Sequence, residues 1–211
     1  RVLDVACGTG LVTFRAAEEV THEGQVVGTD ISNRMVEFST QLAKRLNVEH
    51  ATFAQMDAEE LRFSDSSFDA VVCALGLMYV PDPLKSLREM HRVLKPGGRA
   101  AAAVWGQRNR CGWAEIFPIV DARVNTEVCP LFFQLGTGDL LKQTFQEAGF
   151  EDVVSERLST TLHYDSQDAA CGAAFVGGPV AMAYSRFDEK TREEAYAEYL
   201  ASIEPYKNGR G

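Results

Sequence analysis

The residues with the most evident capacity for chemistry are Gly8-Thr9-Gly10, which follow a short apolar run (Val2-Leu3-Asp4-Val5), and Asp30, which closes the next such run. Each residue type has a physical reason to stand there. Glycine lets the backbone turn tightly and lie against a ligand. The helix that opens after the turn presents N–H groups with no intrahelical partner. A carboxylate about twenty residues further on, at the end of the second strand, can accept both hydroxyls of a ribose. The constellation suits an adenosine-containing ligand.

Position 13 bears on which ligand that is. A dinucleotide pyrophosphate needs the helix close, which the third glycine of G-x-G-x-x-G allows, whereas this sequence has Thr13 there. S-adenosylmethionine carries a carboxylate, an ammonium and a sulfonium, so a looser turn suffices. A nicotinamide-dependent oxidoreductase and a non-catalytic adenosyl-binding domain are the alternatives.

Such a turn needs a frame. The periodicity predicts a strand to Val5 and a helix over Leu11 to Val20, with Leu11, Phe14, Ala17 and Glu18 at helical spacing. A second strand, Gln25 to Thr29, leads to a helix capped by Ser32 and running to about Leu46, its buried face marked by Met35, Phe38, Leu42 and Leu46. His50 to Gln55 reads as a third strand, and the apolar run Phe68 to Leu75 as a fourth, covered on both faces at the centre of a parallel sheet. Asp82-Pro83 starts a helix with Leu84, Leu87, His91 and Leu94 on one face; Lys95-Pro96-Gly97-Gly98 stops it, and Arg99 to Trp105 forms a fifth strand. This alternation predicts a doubly wound, mainly parallel, Rossmann-like α/β sheet. Periodicity fades over 106–135, which reads as a lid-like insertion; Thr137 to Ala148 is helical, Asp152 to Tyr164 alternates like an exposed edge strand, and Ser166 to Glu204 is helix-rich. The expected organisation is a cofactor-binding core over 1–165 and a helical extension of the same domain over 166–211.

Val2-Leu3-Asp4-Val5-Ala6-Cys7-Gly8-Thr9-Gly10 resembles the first motif of class I S-adenosylmethionine-dependent methyltransferases. Gly28-Thr29-Asp30-Ile31-Ser32 resembles that family's second strand end, Met56-Asp57-Ala58-Glu59 its adenine loop, Phe68-Asp69-Ala70-Val71 its fourth strand, and Glu89 to Gly98 the helix and turn before its fifth. The motifs run in family order from Arg1 to about Phe150 and are most similar to the quinone-biosynthesis-like branch. The resemblance implies that Gly8 and Gly10 lie along the methionine moiety with Asp4 orienting its ammonium through water, that Asp30 takes the ribose, and that Asp57 and the Ala58 amide bind the adenine ring between Ile31 and Met35. Ala6, Thr9, Leu75 and Tyr79 complete the expected cofactor site, Tyr79 as a wall whose ring can face the sulfonium. Family members usually have lid helices before the first strand and a last antiparallel strand beside the fifth; both are expected to be lacking here, as in a fragment of a longer protein.

The remaining composition narrows the partners. Lys+Arg 21 against Asp+Glu 30 gives a formal charge of −9, which argues against a polyanionic substrate such as nucleic acid. Cys7, Cys73, Cys111, Cys129 and Cys171 are odd in number and lack C-x-x-C spacing, so neither a disulfide framework nor a metal site is indicated, and free thiols suit the cytoplasm. The longest apolar stretch, Ala70 to Val80, is too short to span a bilayer. A small-molecule methyl acceptor is the expected partner, its ring faced by Trp105, Trp113, Phe117, Phe132 and Phe133 unless these are simply core. The sequence designates no catalytic base: His22, His50, His91 and His163 all read as structural or solvated, with His163 or Tyr79 available to assist a hydroxyl acceptor.

Overall fold

A computed structural model describes residues 1–124 and 131–207. It divides into two compact units, one made of Arg1–Trp105 with Gln134–Ser155, the other of Gly106–Phe133 with the described residues from Glu156 on.

The first unit is a five-stranded sheet in the order β3-β2-β1-β4-β5, with every pair parallel. Its strands are β1 (Val2–Val5), β2 (Val26–Asp30), β3 (Ala51–Gln55), β4 (Phe68–Ala74) and β5 (Leu94–Ala103). Helices α1 (Leu11–Val20), α2 (Asn33–Leu46) and α3 (Pro83–Val93) make the crossovers. Strand order reverses between β1 and β4, and the carboxyl ends at such a switch point are where open α/β sheets place their ligands. Leu3, Val5, Phe68, Val71, Leu87, Met90 and Val93 are completely buried and belong to one cluster with Phe145 of α5 (Leu140–Glu147). A smaller cluster of Ala17, Val26 and Ala51 packs α1 on the sheet.

Local signals place the starts of α2 and α3. The Ser32 hydroxyl accepts the Met35 N–H and the Asp82 carboxylate that of Lys85, with Pro83 in the first turn of α3. α3 ends at Val93, and β5 then starts at Leu94 rather than Arg99, because the Pro96-Gly97-Gly98 stretch passes into the strand through a register shift opposite Phe68 and Ala70.

Two expectations are corrected. The buried face of α2 is Ser39 and Ala43; Met35, Phe38 and Leu46 are 37%, 44% and 54% exposed. Both stripes recur at helical spacing, and the one with small side chains lets the helix lie close to the sheet. Asp152 to Tyr164 forms no strand: its segment pairs with no strand among the described residues, and Val154 and Leu158 are 90% and 81% exposed. Alternation alone does not hold an extended segment in a sheet without a partner to satisfy its backbone.

The second unit is helical, with α4 (Ile116–Val124), the short α6 (Gln167–Cys171) and α7 (Ala181–Tyr184), and α8 (Glu189–Ile203). Trp113, Phe117, Phe132 and Phe133 pack ring against ring at 5.0–5.9 Å, with Phe117 and Phe132 buried, so these four form a core cluster of this unit. Phe175 of the same unit is buried against Tyr184, Tyr196 and Tyr199. Cys7, Cys73, Cys111 and Cys171 are free thiols; Cys129 lies outside the described residues. Among the described residues no helix is long and apolar enough to cross a membrane.

Candidate functional site

The turn after β1 is built from left-handed backbone. Ala6, Gly8 and Gly10 have φ of 55°, 53° and 85°, a region that favours glycine. Gly8 is pinned from both sides: its N–H donates to Asp30 Oδ2 at 2.9 Å, and its carbonyl accepts from the Ser39 hydroxyl at 3.0 Å. The other Asp30 oxygen accepts the Ser32 N–H at 2.9 Å, so one carboxylate ties the glycine turn to the start of α2. The two glycines differ in their surroundings. A Cβ on Gly8 would meet nothing within 4 Å, whereas one on Gly10 would lie 2.8 Å from the Phe14 ring and 3.2 Å from that of Phe53. Gly10 therefore closes the turn against the core, and Gly8 borders open space.

Asp4 sits under this turn on β1, 1% exposed. Its Oδ2 accepts the Thr13 hydroxyl at 2.6 Å. Thr13 thus supports the carboxylate from the position where a dinucleotide-binding turn has its third glycine. Burial pushes the Asp4 carboxyl up to about 6 from 3.8; the Thr13 hydroxyl and backbone amide oppose that rise, and the Asp30 charge adds to it. The neighbouring Cys7 and Cys73 thiols are pushed up to about 12 by burial and the nearby carboxylates, which makes them inert rather than nucleophilic.

Beyond β2 and β3, an open cleft of about 330 Å³ is lined by Ile31, Gln55, Met56, Asp57, Glu60 and Arg62. Ile31 is 68% exposed at this cleft. Asp57 Oδ1 accepts the Glu59 N–H at 2.9 Å, so Asp57 shapes its own turn, while Ala58 points into the core. Arg62 is steadied by donating to the Gln55 carbonyl at 2.5 Å. On the other side of β1, Leu75 follows the end of β4 with φ of 60° and Tyr79 closes a short turn, both exposed.

The structure thus gathers the expected residues into three groups: Asp4, Ala6, Gly8, Thr9, Gly10 and Asp30 at the turn, Ile31, Asp57 and Ala58 at the cleft or its loop, and Leu75 and Tyr79 after β4. Met35 stands on the exposed stripe of α2. Three residues escaped the sequence reading. Ser39 holds the Gly8 carbonyl across 31 residues. Gly76 is buried where a Cβ would come within 2.6 Å of Ala6 and 2.8 Å of Cys73 Sγ, so only glycine lets the chain after β4 cross the turn so closely. Gln55 lines the cleft and donates to the Ile31 carbonyl at 3.0 Å. Only Gly76 carried a local hint, as a glycine directly after a strand. His50 bonds the Ala17 carbonyl and His91 packs edge-on against Phe150, both structural arrangements, and His163 lies in the second unit.

Comparison with known proteins agrees with this geometry. Residues 1–151 match the family described as a methyltransferase domain. The demethylmenaquinone methyltransferase of Staphylococcus epidermidis is 35% identical over 168 residues, covering 73% of this chain and 69% of its own length. That of Listeria welshimeri is 42% identical over 116 residues, 55% of this chain and 49% of its own, so the chain spans about half the length of such curated relatives. Among solved structures, the YcgJ protein of Bacillus subtilis superposes with a TM-score of 0.65 over 97% of this chain and 80% of its own at 21% identity, a likeness of fold. A glycine turn pinned by the carboxylate of the second strand, on a sheet of this order and with this sequence match, makes the chain a member of the class I S-adenosylmethionine-dependent methyltransferase family, in its menaquinone-biosynthesis-like branch.

Proposed function

We propose that this chain transfers a methyl group from S-adenosylmethionine to a small-molecule acceptor, of the quinone-precursor class that the names of its relatives favour. The observation that carries the reading is the double anchoring of Gly8 by Asp30 and Ser39 beside a buried carboxylate, Asp4, at the switch point of the sheet. The residues present fit the cofactor: the space beside Gly8 is open, Asp4 supplies negative charge near a ligand ammonium, and no third glycine adapts the helix to a pyrophosphate.

In this reading Gly8, Thr9 and Gly10 line the methionine moiety, and Asp4 orients its ammonium through water. Asp30 accepts the ribose hydroxyls with the lone pairs that its two backbone donors do not use. Asp57 takes the adenine amino group, the Ala58 amide the ring, and Ile31 and Met35 its faces. Ala6, Leu75 and Tyr79 wall the methyl end. When bound, S-adenosylmethionine supplies a sulfonium methyl that an acceptor atom takes by in-line displacement, the electron pair of the broken C–S bond staying on sulfur. The chain's part is alignment, which can supply roughly 7–11 kcal/mol of a barrier without a dedicated base.

Parallel titrations with S-adenosylhomocysteine and NAD test the cofactor, and release of S-adenosylhomocysteine in the presence of candidate acceptors, quinone precursors included, tests the activity. Saturable binding of the first ligand alone, followed by acceptor-dependent release, is expected. Preference for NAD would refute the reading.

A further inference from the structure

We propose that Glu59 is a positioning residue that couples the adenine loop to the segment after β4, so that binding at Asp57 is felt at the methyl end; this deepens the reading above and rests on it. Glu59 stands two residues beyond Asp57, to which its own N–H donates. Its side chain turns the other way. Oε1 accepts the Asp82 N–H at 2.8 Å, a bond spanning 23 residues, and Oε2 lies 3.8 Å from Lys85 Nζ, with the side chain only 15% exposed. Asp82 is the N-cap of α3 and follows closely on Leu75 and Tyr79. A carboxylate at a helix start gains from the helix dipole and from charge-assisted donation, so this bond is a firm one.

The rest of the loop is already fixed to α3. Glu89 accepts the Leu61 N–H at 2.8 Å, and the Arg92 guanidinium donates to the Leu61 and Phe63 carbonyls at 2.7 and 2.8 Å. With residues 61–63 clamped, the loop that carries Asp57 and Ala58 is held between β3 and this clamp, and Glu59 is the side chain that joins it to the start of α3.

The test uses the full chain, S-adenosylhomocysteine as probe, calorimetry and residue-resolved amide exchange. Gln at position 59 still offers an acceptor to Asp82 and Ala does not. Glu59→Ala is therefore expected to bind about tenfold more weakly than wild type, Glu59→Gln to recover to within about threefold, and Lys85→Ala, which removes only the long ion pair, to stay within about twofold. In the wild type, the Asp82 amide is expected to exchange several-fold more slowly once the ligand is bound. That last measurement decides the matter even if Glu59→Ala does not fold. A wild type that binds the ligand without slowing the Asp82 amide overturns the coupling. So does a Glu59→Ala variant that binds as wild type does, or a Gln variant as weak as the Ala one. A wild type that fails to bind overturns the site reading beneath it instead.

Discussion

Replacing Asp4 by Asn separates what this carboxylate does for the cofactor from what it does to the fold. Burial lifts the Asp4 carboxyl from 3.8 to about 6 despite its bond to Thr13. A raised pKa means that the folded state holds the proton more tightly than the unfolded chain. The associated stability is therefore fully present below the unfolded value of 3.8 and is lost as the pH rises through about 6. A shift of this size corresponds to about 3 kcal/mol once the group is ionised in both states. Asn removes the ionisation and keeps an acceptor for the Thr13 hydroxyl. Urea unfolding of the ligand-free proteins should show the Asn variant gaining on wild type by about 1.4 kcal/mol between pH 5 and pH 8, on top of any constant offset from the amide itself. Cys7 and Cys73, held near 12, stay protonated throughout and do not confuse the comparison. The same substitution should weaken S-adenosylhomocysteine binding about tenfold, since the ligand ammonium loses its charged counterpart. An Asn variant that fails to gain on wild type, or loses ground to it, as the pH rises would refute the reasoning, because the folded carboxyl would then titrate in its ordinary range.

Three further outcomes follow from the same geometry. Gly8→Ala adds a methyl where nothing lies within 4 Å, so it should fold with a loss of about 1 kcal/mol from its left-handed φ, yet bind S-adenosylhomocysteine at least about tenfold more weakly because the methyl enters the ligand's space. Gly10→Ala drives a Cβ to 2.8 Å from the Phe14 ring, so thermal unfolding should show about 2–4 kcal/mol of destabilisation before any ligand is added. The buried Ser86 hydroxyl has no hydrogen-bond partner among the described residues, so Ser86→Ala should raise stability by about 1 kcal/mol in urea titrations without changing ligand affinity.

The turn and its strand were legible because their signals are local: Gly8 and Gly10 occupy left-handed positions that few other residues accept, and Asp30 sits where β2 ends. The caps at Ser32 and Asp82 were legible for the same reason. What binds the site together was not. Ser39 to Gly8 and Glu59 to Asp82 are bonds across 31 and 23 residues, and no periodicity in a single sequence reports on them. The face of α2 was misread because two stripes of helical spacing compete, and the larger side chains suggest burial while close packing on the sheet selects Ser39 and Ala43. Asp152 to Tyr164 had the alternation of a strand, but a strand is defined by its neighbour as much as by its own residues.

The central claim is tested most directly by titrating S-adenosylhomocysteine into the wild-type chain and into Asp30→Ala, with the bound ligand located in a crystal of the wild type. The account predicts the ligand along Gly8 to Gly10 with its ribose on Asp30, and a loss of affinity of at least about tenfold in the variant. A ligand lodged away from that turn, or an affinity that Asp30→Ala leaves unchanged, would contradict it.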